Sequence, residues 1–196
     1  MEDALRREGF NFIAGVDEVG RGPLAGPVVV CALLLPQNHN ISGITDSKRL
    51  TEKERLELAE QIKAKAIAYS ISKVSNLIID RINIRRATLF AMKRAVLNLM
   101  KKTDVKIDLV LVDGRDSLSL PVECRAIIKG DIISENIGAA SIVAKVYRDD
   151  LMRRLDRRYP QYGFAIHKGY GTRLHYEAIK RFGLCEIHRK SFRLFG

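Results

Sequence analysis

"GVDEVGRGPLAGPVVVCALLLP", residues 15–36, places two adjacent carboxylates, Asp17 and Glu18, at the end of one apolar segment and follows them with Gly20-Arg21-Gly22. Phe12 to Val16 reads as a short strand. Val28 to Leu35, between Pro27 and Pro36, reads as a nearly continuous apolar strand. Such a run is expected to be buried on both faces, and Cys31 with it. Successive strand side chains point to opposite faces. Asp17 and Glu18 therefore share a site only if the chain bends between or just after them, a bend that Gly20 and Gly22 make easy.

Outward from this stretch, Thr51-Glu52-Lys53-Glu54 has the pattern of a capping box and predicts a helix from Thr51 to about Ala66. Ile67, Tyr69 and Ile71 alternate with small polar residues, as in a strand. Asn83 to Lys102 is an amphipathic helix with Ala87, Ala91, Ala95 and Leu99 on one stripe. Asp108 to Val112 is a strand ending on Asp113-Gly114, and Val122 to Ile128 is another that runs into Lys129-Gly130-Asp131. A helix from about Gly138 to Arg158 stops at Pro160, and Thr172 caps a last helix ending near Gly183. The alternation predicts an α/β fold with a mixed sheet and helices on both faces.

Three of these strands end in acid: Asp17, Asp113 and Asp131. In open α/β sheets ligands sit beyond the strand ends. Together with Glu18, these acids make four carboxylates that repel one another unless a cation sits among them. Hard oxygen donors select Mg²⁺ or Mn²⁺. Singly, Asp113-Gly114 and Lys129-Gly130-Asp131 read as turns, and the acidic pair as solvated surface. The joint placement carries the catalytic reading.

The 196 residues hold 34 Lys and Arg against 23 Asp and Glu, a net charge of +11. That excess suits a polyanion, nucleic acid first and an anionic membrane second. Met1 to Gly9 lacks the apolar core of a targeting segment, and no apolar run approaches the ~20 residues of a membrane span. Cys31, Cys124 and Cys185 form neither a CxxC pair nor a disulfide pattern, which points to a reducing cytoplasm. Neither GxSxG nor HExxH occurs, and Gly20-Arg21-Gly22 lacks the spacing of a Walker loop. His39, His167, His175 and His188 are scattered, with His167 and His188 expected on a basic tail.

The stretch 15–36 resembles the signature of bacterial ribonuclease HII. The resemblance continues through "DSKRLT" (46–51), "INIRRATLFAMKRAV" (82–96), "LVDG" (111–114), "KGD" (129–131), "AASIVAKVYRDDLM" (139–152), "YPQYGFAIHKGYGT" (159–172) and "HRKSF" (188–192). It implies the ribonuclease H-like fold, a mixed five-stranded sheet flanked by helices, with a catalytic domain over 1–160 and a basic C-terminal helical extension over 161–196. It also implies a metal-dependent endonuclease that cuts RNA paired to DNA, and 5′ of single ribonucleotides embedded in duplex DNA, leaving 3′-hydroxyl and 5′-phosphate. The family's four acids map onto Asp17, Glu18, Asp113 and Asp131, which would hold Mg²⁺ or Mn²⁺, two ions during catalysis.

By the same resemblance, Gly20, Arg21 and Gly22 form the ribose-reading loop, and Tyr170 packs on the deoxyribose after the ribonucleotide. Lys48 and Lys145 are phosphate ligands by expectation. Asp149 reads as an ion-pair partner on a helix rich in Arg148, Arg153 and Arg154. Lys168, Arg173, Lys180, Arg181, Arg189, Lys190 and Arg193 are expected to grip the duplex backbone. Gly138, where relatives carry alanine or serine, is expected to loosen its helix by up to ~1 kcal/mol.

Three alternatives stand beside this reading: a non-catalytic binder of RNA–DNA hybrids, the sister type ribonuclease HIII, and a transposase-like nuclease of the same fold. The expected chain is a cytoplasmic monomer that binds no membrane. Phe192, Leu194 and Phe195 read as tail packing, with a sliding-clamp-binding tail as the second reading.

Overall fold

A computed structural model describes residues 1–44 and 50–193. Lys48 and the Leu194–Phe195 pair lie outside the described residues. Five strands form one sheet: β1 (Ile13–Val19), β2 (Val28–Leu34), β3 (Ala68–Val74), β4 (Leu109–Asp113) and β5 (Glu123–Ile127). Their order is β3-β2-β1-β4-β5. β1 pairs antiparallel with β2, and β2 with β3, whereas β1–β4 and β4–β5 are parallel. This is the mixed five-stranded sheet expected from the sequence.

The apolar run of β2 is buried throughout because it is covered on both faces. Val28, Val30, Ala32 and Leu34 join Ala87, Ala91, Ala95 and Leu99 of α4 (Ile84–Met100) on one face. Cys31 and Leu33 join α2 (Glu52–Lys65) and α6 (Glu135–Arg158) on the other. Thr51 closes the predicted capping box with Glu54.

The sequence reading started α6 three residues late. Ser134 caps it, its hydroxyl accepting from the Ile137 amide at 3.2 Å. Glu2, on α1 (Glu2–Arg7), is buried against the same helix start and accepts from Ser134 Oγ at 2.7 Å and the Asn136 amide at 3.1 Å. α6 also lies very close to β1: a β-carbon on Gly15 would stand 2.1 Å from the Asn136 carbonyl carbon. The short helices α1, α3 (Asn76–Ile82), α5 (Gly130–Ile133) and α7 (Phe164–His167) were not anticipated.

Beyond α6 come a 3-10 turn (Pro160–Tyr162), α7 (Phe164–His167) and α8 (Arg173–Phe182); α5 (Gly130–Ile133) lies between β5 and α6. Tyr162, Phe164 and Ile179 pack on Met152 of α6 and on Leu24 and Ala25. Ala25 bridges to His188, and the Leu24 amide donates to Gly169 O at 2.8 Å. The last part of the chain thus clasps the segment that follows β1. Phe192 packs against the core, as tail packing requires. No helix among the described residues is long and apolar enough to cross a membrane.

Candidate active site

The last registered pair between β1 and β4 is Val16–Val112. The next residue on each strand is an acid, Asp17 and Asp113, so parallel pairing alone brings these two carboxylates side by side. β1 continues as strand to Val19, so no bend falls between Asp17 and Glu18. Asp17 turns toward α6 and is buried. Its Oδ1 accepts from the Glu18 amide at 2.7 Å. Burial, then the neighbouring charges of Glu18 and Asp113, push the Asp17 carboxyl well above the ordinary range, against a hydrogen bond with Ser141.

Glu18 is raised by burial and by Asp113, against the pull of Arg21, whose Nη1 lies 3.2 Å from Glu18 Oε1. The other oxygen, Oε2, is buried without a hydrogen-bond partner. Asp113 Oδ1 accepts from the Gly130 amide at 2.7 Å. A β-carbon at position 130 would stand 2.5 Å from Ile137 Cδ1 and 3.3 Å from Asp113 Oδ1, so a side chain there would press on Ile137 and on the Asp113 carboxylate. Asp131 corrects the sequence reading: it does not close a strand but sits in the first turn of α5, because Lys129 takes a left-handed conformation (φ +58°) that ends the strand run.

Glu18 stands between two hollows. Asp113 shares one with Arg21, Arg85 and Arg115. Asp131 shares the other with Ser141, Arg55 and Lys145. No three acidic, histidine or cysteine side chains among the described residues stand as a ready-made metal cluster; Glu18 lines both hollows, Asp113 one and Asp131 the other, while Asp17 is buried. The donor set fits a hard divalent cation even so. It is all oxygen, one of its oxygens is buried and unpartnered, and burial with like charge disfavours ionisation until positive charge arrives.

The loop after β1 is held from below. Gly20 has φ +92°, and a β-carbon there would meet Arg148 Nε at 2.2 Å. Arg189 donates to the carbonyls of Gly20 (2.6 Å), Arg21 (2.8 Å) and Gly26 (3.0 Å). Arg148 donates to those of Pro27 (3.1 Å), Ala25 (3.3 Å) and Lys168 (3.0 Å). Both arginines are fully buried. Burial, then the charge of Arg148, lowers the Arg189 guanidinium to about 9. Arg189, expected among the duplex-gripping tail cations, is instead a buried clamp on the loop. A side chain that bonds only distant main-chain carbonyls leaves no sequence signal.

Above this frame, Arg21, Gly22 and Tyr170 are exposed. Tyr170 Cε1 lies 3.7 Å from where a Gly22 β-carbon would be, so the two loops named by the resemblance meet in space. Asp149 is an ion-pair partner, but of Lys145 at 2.8 Å; Arg153 pairs with Glu52 and Arg154 with Asp150. Of the tail cations, Arg173, Lys180, Arg181, Lys190 and Arg193 are exposed. His167 and His188 are buried rather than on a basic face. Gly138 also departs from expectation: a β-carbon there would stand 2.8 Å from the Asp131 carbonyl oxygen and 2.9 Å from Ile44 Cγ2.

A family model described as Ribonuclease HII matches residues 14–195. A protein named Ribonuclease HII from Vibrio vulnificus (strain YJ016) is 51% identical over 186 residues, 95% of this chain and 88% of that one. Among solved structures, ribonuclease H2 from Pyrococcus horikoshii OT3 is similar with a TM-score of 0.78 and 27% identity, covering 93% of this chain and 94% of that chain. The ribonuclease HII from Archaeoglobus fulgidus, solved in a complex with PCNA, has a TM-score of 0.79 and 25% identity, covering 94% of this chain and 96% of that chain. A mixed sheet carrying Asp17 beside Asp113, together with a family match along nearly the whole chain, leads to one assignment: this chain belongs to the ribonuclease HII family.

Proposed function

We propose that the chain is a metal-dependent endoribonuclease that hydrolyses the RNA strand of RNA–DNA hybrids and cuts 5′ of single ribonucleotides in duplex DNA. The observation that carries this reading is the convergence of Asp17, Glu18 and Asp113 at one sheet end, facing Asp131 across a cleft rimmed with arginine and lysine. Asp17, Glu18, Asp113 and Asp131 would hold Mg²⁺ or Mn²⁺, two ions in the working state. Such ions supply Lewis acidity at a phosphodiester and lower the pKa of a bound water.

This chain's own residues orient the substrate. Arg21, Arg85 and Arg115 line the hollow beside Asp113 and offer guanidinium groups to backbone phosphate. Lys145 does so on the other side, steadied by Asp149. Arg189 ties down the carbonyls of Gly20 and Arg21. In a trans peptide the N–H points opposite to the C=O, so the amides of Arg21 and Gly22 face away from Arg189, toward the exposed side. Two outward donors beside a position without a β-carbon suit a 2′-oxygen, the group that separates RNA from DNA. Tyr170, against Gly22, would pack on the next sugar, where a deoxyribose fits and a 2′-hydroxyl crowds.

The exposed tail cations hold the duplex backbone without reading its sequence. Residues 1–160 form the catalytic domain and 161–196 the extension packed on it. The chain works as a cytoplasmic monomer, with a sliding clamp as a further partner.

Duplex DNA carrying one ribonucleotide, incubated with Mg²⁺, Mn²⁺ or EDTA, tests the reading against all-DNA duplex and Asp17→Asn protein. Metal-dependent incision 5′ of the ribonucleotide, absent from both controls, is expected. Binding without incision in either metal overturns it in favour of a non-catalytic hybrid binder.

A further inference from the structure

Three of the four histidines lie together beneath Tyr170, and the mechanism uses none of them. His167, His175 and His188 are buried, packed around Phe164 and against Tyr162. The rings of His167 and His175 stack with centroids 4.4 Å apart. His175 Nε2 and His188 Nε2 face each other at 3.1 Å.

The partners fix where the protons sit. His188 Nδ1 receives the Cys185 amide at 2.9 Å and faces Cys185 Sγ at 3.1 Å and Cys185 O at 3.3 Å. The amide is the shortest of the three and assigns Nδ1 as the bare nitrogen, with the His188 proton on Nε2. That proton is donated to His175 Nε2, which must be bare in turn. The His175 proton then sits on Nδ1, 2.9 Å from the carbonyl oxygen of Tyr170. His167 repeats the logic: Nδ1 accepts from the Gly169 amide at 3.1 Å, and Nε2 donates to Tyr162 O at 2.7 Å. This assignment matches all six ring nitrogens with all three rings neutral. A proton added to any bare nitrogen would set two N–H groups against each other. Burial reinforces neutrality, lowering all three and taking His175 to about 4.

The chain of bonds runs one way, from Cys185 through His188 and His175, and ends on the main chain of Tyr170. Tyr170 is 42% exposed, and its ring rests on the Arg148 guanidinium, 5.9 Å from the ring centroid, and on Gly22. Its carbonyl accepts from His175 and from the Thr172 amide, each at 2.9 Å, and its own amide donates to His167 O at 2.9 Å. We infer that His175 is a positioning residue for Tyr170: the neutral histidine relay holds the Tyr170 carbonyl and so keeps the ring against Gly22, setting the preference for an RNA-to-DNA junction. This rests on the reading of Tyr170 as the reader of the following deoxyribose.

The test compares kcat/KM on duplex DNA carrying one ribonucleotide with kcat/KM on a uniform RNA–DNA hybrid, the ratio being the junction preference. His175→Phe keeps the ring volume and removes the donor; His175→Asn returns an N–H near the Nδ1 position. We expect His175→Phe to lower the preference about tenfold, the scale of one lost hydrogen bond, and His175→Asn to recover most of it. If His175→Phe does not fold, His175→Gln, whose amide reaches the Nε2 position instead, takes its place. In the wild type, ¹⁵N spectra should show Nε2–H on His188, Nδ1–H on His175, and coupling across the N–H···N bond between them.

Equal loss in the Phe and Asn variants would mean a merely structural role and overturns the inference. So does an unchanged preference in His175→Phe while Tyr170→Ala abolishes it. If Tyr170→Ala itself leaves the preference intact, the reading of Tyr170 falls and this inference falls with it.

Discussion

Arg189 Nη2 donates to the carbonyl oxygen of Gly20 at 2.6 Å, joining residues 169 positions apart in the chain. The bond fixes the orientation of the peptide unit that follows the carboxylate pair. With Nη1 on Arg21 O and Nε on Gly26 O, one buried side chain holds the whole loop. Arg189→Met should leave three carbonyls without these donors, at roughly 1–3 kcal/mol for each that water cannot reach. Thermal melting should report a loss of at least ~3 kcal/mol, and Arg189→Lys should return only part of it.

The carboxylate pair makes a prediction about metal and stability together. The Asp17 pKa is raised in the fold, so the folded chain binds a proton more tightly than the unfolded one. Stability in metal-free buffer should therefore fall as pH rises from the ordinary aspartate value through the folded value. At pH 7 without metal, Asp17→Asn should be more stable than wild type, on the order of 1 kcal/mol, and should not cut. Added Mg²⁺ should raise the wild-type melting temperature and leave Asp17→Asn nearly unmoved. Equal shifts in both proteins would count against Asp17 as a ligand.

His175 has the opposite sign. Its pKa falls from 6.5 to about 4 in the fold, so between these values the unfolded chain binds more protons. The stability that the neutral ring contributes is full above pH 6.5 and is lost as pH falls toward 4. The expected loss is about 2 kcal/mol, less than the full shift implies because water relaxes part of it. Melting curves across this window should be visibly flatter for His175→Phe than for wild type.

Gly138→Ala would gain up to ~1 kcal/mol on helix propensity alone. The structure predicts a net loss, because the added carbon meets the Asp131 carbonyl oxygen and Ile44 Cγ2 below 3 Å. Overpacking of this kind costs about 1–3 kcal/mol. The shift passes to Asp131, so the cleavage rate should drop with the melting temperature. A variant that melts higher and cuts normally would refute this.

Lys145→Ala removes an ion pair with Asp149 that is only partly shielded from water and adds little stability, about 0–1 kcal/mol. Its effect should fall on substrate binding instead. The salt dependence of duplex affinity should become shallower by about one unit of slope if Lys145 meets a phosphate.

The strands of the sheet, and the acids at the ends of β1 and β4, are legible in local sequence. The apolar run of β2, the Thr51 capping box and the α4 stripe are local patterns with local causes, and the structure repeats them. The acids at the ends of β1 and β4 were legible for the same reason, since a strand that stops on a carboxylate says so in its own residues. The tertiary structure decided what is held by distant main chain. It made buried clamps of Arg148 and Arg189, and gathered three scattered histidines under Tyr170. It placed Asp131 on a helix turn and crowded Gly138 against the Asp131 carbonyl and Ile44. A carbonyl is the same acceptor at every position, so no residue pattern can announce which one a buried arginine or histidine will find.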